Sequence, residues 1–220
     1  MASPTASYVV PALDEEGYVD DALASIVALE TDEPYEVLVV DGGSEDGTRA
    51  IARDHGARVI EQPGEGIGDA RDLGARHADG DWLAFVDADT TVAPRHLDAM
   101  LGFVRDDDLV AASSRVRMTE CWRAKLMQAT INRVFPLLPR PVLPGFNCVV
   151  DADVYRDADG FPDVPNEDTA FSMRLARHGD TAYHPEVLVH SSGRRVAELG
   201  LTGTLLHYLL LDLGRYWADY

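Results

Sequence analysis

The stretch YEVLVVDGGSEDGTRAIARDHGARVI, residues 35–60, decides the fold of this chain. An apolar run at residues 36–40 is followed by a Gly-rich turn, a helical pattern at residues 48–55 and a second apolar run at residues 58–60. Because these runs lack polar alternation, they predict strands that are buried on both faces. A helix between two such strands is typical of a parallel sheet.

The same alternation continues on both sides of this stretch. Further strands and helices are expected at residues 7–10, 18–29, 67–77, 82–86, 94–104 and 109–112. We therefore predict an α/β fold in one compact domain, with a mostly parallel, Rossmann-like sheet flanked by helices. Residues 1–113 form the regular half, residues 114–190 a second half that extends it, and residues 191–220 a helical tail.

Charge and cysteine content limit the partners and the cellular location that we expect for this protein. The chain has 220 residues and a formal net charge of −19, which disfavours nucleic acid as a partner. Its basic residues are 18 Arg and only Lys125, a pattern that predicts a halophilic protein, with an ordinary acidic protein as the alternative. Cys121 and Cys148 lack metal-type spacing, and neither a secretory signal nor a membrane-spanning run is evident, so we expect a cytoplasmic location.

Polar and acidic residues follow three of the predicted strands directly. Because ligands of open parallel sheets bind outside the carboxyl ends of the strands, we expect these residues to line one crevice. They are Pro11, Ala12 and Glu15 after the first strand, Asp41 after the second, and Asp87, Ala88 and Asp89 after the fourth.

Five motifs occur in a fixed order along the chain. They are VVPALDEEGYV at residues 9–19, VVDGGSEDGT at 39–48, GIGDARDLGA at 66–75, FVDADT at 85–90 and NEDTAFSMRL at 166–175. With this ordered set, residues 7–190 resemble glycosyltransferase family 2. The resemblance implies the GT-A fold and an inverting transfer of a sugar, a hexose in particular, from a UDP- or GDP-sugar. It makes residues 1–113 the nucleotide-sugar-binding half and residues 114–190 the acceptor-binding and catalytic half.

Asp87 and Asp89 form a D-x-D pair, the candidate metal site. On an extended chain residues two apart point the same way, so both carboxylates can face one hard cation, here Mg²⁺ or Mn²⁺. Such an ion takes up charge as the nucleoside diphosphate leaves. His190 is the candidate third ligand, as a histidine in this region is in some relatives. The alternative is that both acids cap the following helix.

The other donor-site candidates are Asp41 and Arg71. The Asp41 carboxylate can accept from a base N–H, and the resemblance implies uracil or guanine, with Pro11, Ala12 and Glu15 lining the base and ribose pocket. Alternatively, Asp41 only forms a turn. The planar guanidinium of Arg71 suits phosphate or base contact, with a surface ion pair as the alternative.

The resemblance makes Asp168 the general base that takes the proton of the acceptor hydroxyl, with Glu167 beside it at the acceptor. The alternative is that the two acids only favour the N-terminus of the following helix. Arg194 and Arg195 are candidates for neutralising the leaving diphosphate or an acceptor phosphate, with a solvated basic turn as the alternative. A sugar-phosphate nucleotidyltransferase and a non-catalytic nucleotide-sugar-binding protein are the competing functions.

Residues 113–144 reverse the charge balance of the chain, with six basic residues against Glu120 alone. Apolar side chains are interleaved with the basic ones, including Trp122, Leu126, Met127, Ile131 and Phe135. This mixture predicts a helix at an anionic membrane surface, at the inner face of the membrane, and it favours a lipid phosphate as acceptor, with a glycan or a small molecule as the alternatives. The alternative is a helix that covers the acceptor with a solvated basic face. The uncharged run at residues 199–211 is either a second membrane contact or a core helix.

Overall fold

A computed structural model describes residues 3–64, 66–119, 122–162, 164 and 166–194. The strands in these ranges are β1 (Ala6–Ala12), β2 (Tyr35–Asp41), β3 (Arg58–Glu61), β4 (Trp82–Val86), β5 (Thr90–Val92), β6 (Ala111–Met118), β7 (Asn147–Asp151) and β8 (Thr181–Ser191). The helices are α1 (Val19–Val27), α2 (Thr48–Asp54), α3 (Ile67–His77), α4 (His96–Asp106), α5 (Trp122–Arg133), α6 (Ala152–Asp157) and α7 (Glu167–Leu175), with a 3-10 helix at Phe135–Leu137.

The strands form one sheet in the order β3-β2-β1-β4-β7-β6-β8-β5. The pairs β2–β3, β1–β2, β1–β4 and β6–β8 are parallel, whereas β7 is antiparallel to both β4 and β6, and β5 is antiparallel to β8. The predicted α/β fold with a mostly parallel sheet is confirmed. The sequence did not predict β5, β7 or α6, because three to six residues are too few to establish a period.

Packing on both faces of the sheet explains why its strands read as continuous apolar runs. Along β1, Tyr8 and Val10 pack with α1 and α4 on one face, and Val9 packs with α3 on the other. Gly74 of α3 permits a close approach, since a Cβ there would lie 2.3 Å from Cγ1 of Val9. Helix α3 therefore rests directly on β1, and its first turn reaches the carboxyl ends of the strands.

The register of the strands places the expected residues at one edge. Ala12 pairs with Asp41 across β1 and β2, and Val9 pairs with Phe85 across β1 and β4. The carboxyl ends of these three strands therefore lie side by side. None of the helices in the described ranges has the length and apolarity that a membrane span requires. Arg195 and the run at residues 199–211 lie outside the described residues, as does most of the predicted helical tail.

Candidate active site

Arg71 of α3 joins three acidic side chains that are distant in sequence. Its Nη2 donates to Asp87 Oδ1 at 3.0 Å, and its Nη1 donates to Glu167 Oε1 at 3.1 Å and to Asp168 Oδ1 at 3.4 Å. The Arg71 side chain is only 3% exposed, so the surface ion pair considered for it is wrong. The structure thus brings the first acid of the D-x-D pair together with the predicted general base.

The charges of this cluster depend on one another. Burial opposes the positive charge of Arg71, but Asp87, Asp168 and Glu167 together raise its pKa above the ordinary value. Burial raises the pKa of Asp168 to about 6, against the lowering effect of Arg71 and of the Gly145 N–H. The Asp168 side chain remains 31% exposed, so an acceptor can approach it. This carboxyl therefore combines a raised pKa with access from outside.

Gly145, in the loop before β7, is a site residue that the sequence did not indicate. A Cβ at this position would lie 2.5 Å from Arg71 Cζ and 2.6 Å from Asp168 Oδ1. Its backbone N–H also donates to Asp168. The absence of a side chain at Gly145 is what lets the guanidinium and the carboxylate meet, and no local pattern around residues 144–146 reveals this.

The D-x-D pair lies in a turn and not on an extended chain. The Thr90 N–H donates to the Asp87 carbonyl at 3.0 Å, and β5 follows at once. The expected strand-like alternation is therefore wrong, and so is the alternative of helix capping. Asp87 points to Arg71, whereas Asp89 Oδ2 accepts from Ser192 Oγ at 2.6 Å. Ser192, just after β8, is a second partner that the sequence analysis missed.

Asp41 is fully buried at the end of β2. Its Oδ2 accepts from the N–H groups of Gly43 and Ser44, both at 3.1 Å. This confirms the turn that was considered for Asp41, while contact with a nucleobase stays a prediction. Pro11 and Ala12 are buried at the end of the neighbouring β1, and Ala88 is buried just after β4, at the same edge of the sheet.

Glu15 and Arg194 form a second ion pair at this edge. Arg194 Nη2 lies 2.6 and 2.7 Å from the two carboxylate oxygens of Glu15, and its Cζ lies 4.5 Å from the centre of the Tyr18 ring. Burial opposes the charge of Arg194, but Glu15 and Asp89 raise its pKa. The alternative of a solvated basic turn is therefore wrong for Arg194. The fold places this residue, at the end of the described chain, beside the loop that follows β1.

His190 is exposed on β8, where it pairs with Thr91 of β5. Across the ranges that the structure describes, no three His, Cys, Asp or Glu side chains come close enough together to hold a metal ion. The structure therefore does not join His190 to Asp87 and Asp89 in a preformed three-ligand site. Its role as a third ligand stays a prediction.

Comparison with known proteins assigns the chain to a family. The model of the family described as Glycosyl transferase family 2 matches residues 7–156, which include most of β1, the D-x-D turn and β7. The chain belongs to glycosyltransferase family 2. This confirms the resemblance that was based on the ordered motifs.

Among the relatives of this family 2 chain is the low-salt glycan biosynthesis hexosyltransferase Agl6 of Haloferax volcanii. It is 38% identical over 116 residues, which cover 52% of this chain and 28% of Agl6. The family 2 chain studied here thus spans only about a quarter of the length of that relative.

Two solved structures show the fold of the family 2 chain. TarS of S. aureus in complex with UDP-GlcNAc has a TM-score of 0.72 and 19% identity, over 90% of this chain and 62% of TarS. The mannosyltransferase PcManGT of Pyrobaculum calidifontis, in complex with GDP-Man and Mn²⁺, has a TM-score of 0.68 and 22% identity, over 87% of this chain and 58% of PcManGT. The predicted GT-A architecture is confirmed.

Proposed function

We propose that this family 2 chain is an inverting, metal-dependent glycosyltransferase that moves a hexosyl group from a UDP- or GDP-sugar to an acceptor. One observation carries the proposal: the guanidinium of Arg71 contacts Asp87 of the D-x-D pair and the candidate base Asp168 at the same time. The candidate metal ligand on the donor side and the candidate base on the acceptor side therefore contact the same side chain.

Asp168 is the general base of the proposed reaction. The carboxylate takes the proton of the acceptor hydroxyl. At the same time the hydroxyl oxygen forms a bond to the anomeric carbon, and the bond from that carbon to the diphosphate breaks. A pKa of about 6 suits this role, because the group is then mostly ionised at neutral pH and still basic. A single displacement of this kind inverts the anomeric configuration, as the family resemblance implies.

Asp87 and Asp89 are the residues that would hold a divalent ion. Their carboxylate oxygens are the donors that Mg²⁺ and Mn²⁺ prefer, and a two-carboxylate set leaves positions for the diphosphate of the donor. When bound, the ion would neutralise negative charge on the departing diphosphate. His190 is our candidate for an additional ligand. The Mn²⁺ in the PcManGT complex supports a metal in this fold.

Nucleotide recognition is assigned to the edge formed by β1 and β2. Asp41 and Glu15 would position the base and ribose, Pro11, Ala12 and Ala88 form the wall, and Arg71 would hold the donor in place. UDP-GlcNAc and GDP-Man in the two structural relatives support a nucleotide sugar as ligand. Arg194, with Glu167 and Arg195, would meet the diphosphate or the acceptor, which can be a glycan, a lipid phosphate or a small molecule.

The test is a turnover assay with UDP- and GDP-hexoses, with and without Mn²⁺ or Mg²⁺. We expect metal-dependent release of nucleoside diphosphate, and a product of inverted anomeric configuration in the proton NMR spectrum once an acceptor is supplied. Pyrophosphate exchange with a sugar phosphate would identify a nucleotidyltransferase instead. Tight donor binding without any turnover would identify a binding protein.

A further inference from the structure

Beyond the short stretch where β6 pairs with β7, side chains of helix α5 form hydrogen bonds to the backbone of β6. β6 pairs with β7 only at Ala111 and Ala112. Farther along, the Asn132 amide donates to the Val116 carbonyl at 2.8 Å and accepts from its N–H at 2.9 Å. Gln128 accepts from the Met118 N–H at 2.9 Å. Two polar side chains of α5 therefore face the sheet.

Large apolar side chains of the same segment face outward. Trp122 is 68% exposed and Leu137, in the 3-10 helix that follows α5, is 83% exposed, with Leu126 and Val134 also exposed between them. These four make up half of the large hydrophobic residues that are exposed in the described part of the chain. A helix of a globular protein normally buries its apolar side chains and solvates its polar ones. Helix α5 does bury Ala124 and Ile131, and Met127 and Phe135 pack against the core, so part of the apolar set that was predicted to face a membrane faces inward. The exposed Trp122, Leu126, Val134 and Leu137 remain, and a group of large exposed apolar side chains marks an interaction surface.

Basic side chains accompany these apolar groups on α5 and on β6, the strand that α5 contacts. The guanidinium of Arg123 lies 5.6 Å from the centre of the Trp122 ring, Arg133 is exposed near the end of α5, and Arg115 and Arg117 are exposed on β6. The chain as a whole carries a net charge of −19. A second copy of the chain, joined through the same surface by a two-fold axis, would place these positive groups against each other.

We propose that α5 and the 3-10 helix, residues 122–137, form a docking surface for an anionic lipid bilayer. Apolar side chains among Arg and Lys are the combination that holds a surface helix in the interface of an anionic membrane. The apolar groups enter the boundary between headgroups and acyl chains, and the basic groups contact lipid phosphates. The proposal rests on the contacts of this surface alone and does not require catalysis.

The surface adjoins the candidate active site. Gly193 packs on α5, since a Cβ there would lie 2.7 Å from Cβ of Ala124. The preceding residue, Ser192, holds Asp89 at 2.6 Å. Ala124 is fully buried, so this contact is on the inner side of α5. Helix α5 therefore stands between the D-x-D turn and a bilayer seated on its outer side, and a membrane-borne acceptor, such as a lipid phosphate, would reach the turn past this helix. This role in acceptor delivery rests on the proposed function.

Flotation on a density gradient tests the surface with vesicles of phosphatidylglycerol and phosphatidylcholine. Wild-type protein should float at low ionic strength, and a Trp122→Ala, Leu137→Ala variant should show about a tenfold lower ratio of bound to free protein. Val27→Ala is the matched control, because Val27 of α1 is an exposed apolar residue, at 52%, outside this surface. The control should float like wild type.

Donor binding and thermal unfolding are measured on the same variants. Both should be unchanged, which separates failure of the docking surface from failure of the proposed function. The proposal is wrong if wild-type protein stays at the bottom at every salt concentration, if the double variant floats as well as wild type, or if pure phosphatidylcholine works equally well. Self-association that the double variant abolishes, without flotation, would make this surface a contact between copies.

Discussion

Arg71 Nη1 lies 3.4 Å from Asp168 Oδ1, although the two residues are 97 positions apart in the sequence. The same guanidinium also holds Asp87, so the base, the D-x-D turn and helix α3 are joined in one ionic cluster around the buried Arg71. Removing the buried Arg71 from such a cluster should cost about 3–5 kcal/mol of stability, the typical cost of breaking a buried ion pair, because it leaves the acidic groups uncompensated. Substitutions around Arg71 therefore separate function from folding better than substitutions of Arg71 itself.

Gly145→Ala should reduce turnover strongly while the protein stays folded. The added Cβ would meet Arg71 Cζ at 2.5 Å and Asp168 Oδ1 at 2.6 Å, so one of the two must move. A misplaced catalytic group of this kind can cost about 10²-fold in rate. Gly102→Ala in α4 is the matched control, since nothing lies within 4 Å of its added Cβ. Equal kcat/KM values for Gly145→Ala and Gly102→Ala would show that the contact does not matter.

Asp168→Asn should keep donor binding and lose about 10²–10⁴-fold in transfer, the usual contribution of general-base catalysis. Asp153→Asn is the matched control, because it makes the same change at an exposed carboxylate of α6, outside the site. Calorimetry measures donor binding, and initial rates with a hydroxyl acceptor measure transfer. Normal turnover of Asp168→Asn with such an acceptor would show that Asp168 is not the general base. A phosphate acceptor, already ionised at neutral pH, should show only a small effect.

Transfer to a hydroxyl acceptor should decline as the pH falls through about 6. The base works only when it is ionised, and burial raises the pKa of Asp168 to about 6. An unperturbed Asp, with a pKa of about 3.9, would keep its activity to much lower pH. The measurement is the pH profile of kcat/KM in saturating metal. An acidic limb near pH 4, or the same limb in the residual activity of Asp168→Asn, would contradict this assignment.

Asp89→Ala should abolish the metal-dependent part of donor binding with little loss of stability. The Asp89 side chain is bonded to Ser192 and Thr90 in the turn after β4, outside the buried apolar clusters. Titration calorimetry with a nucleotide sugar, in the presence of Mn²⁺ and then of EDTA, measures the effect. Asp21→Ala, which removes an exposed carboxylate from α1, is the control. Unchanged metal-dependent affinity in Asp89→Ala would remove this residue from the metal site.

The sequence predicted the regular half of the fold well. Helix α3 and strand β4 were predicted with the bounds that the structure shows, Ile67–His77 and Trp82–Val86. Both have a hydrophobic period, or a continuous apolar run, that a single element expresses along its own length. The convergence of Glu15, Asp41 and Asp87 was also predictable, because these residues follow parallel strands that share one carboxyl edge.

Only the tertiary structure decided how these residues are joined. The pairing of Arg71 with Asp168, the contact of Gly145 with both, and the ion pair of Glu15 with Arg194 depend on strand order and on the packing of distant elements. A local pattern records which face of an element is buried, but it does not record which partner covers that face. The same reason applies to α5: its period predicted a helix, and its amide contacts to β6 decided that Trp122 and Leu126 face outward.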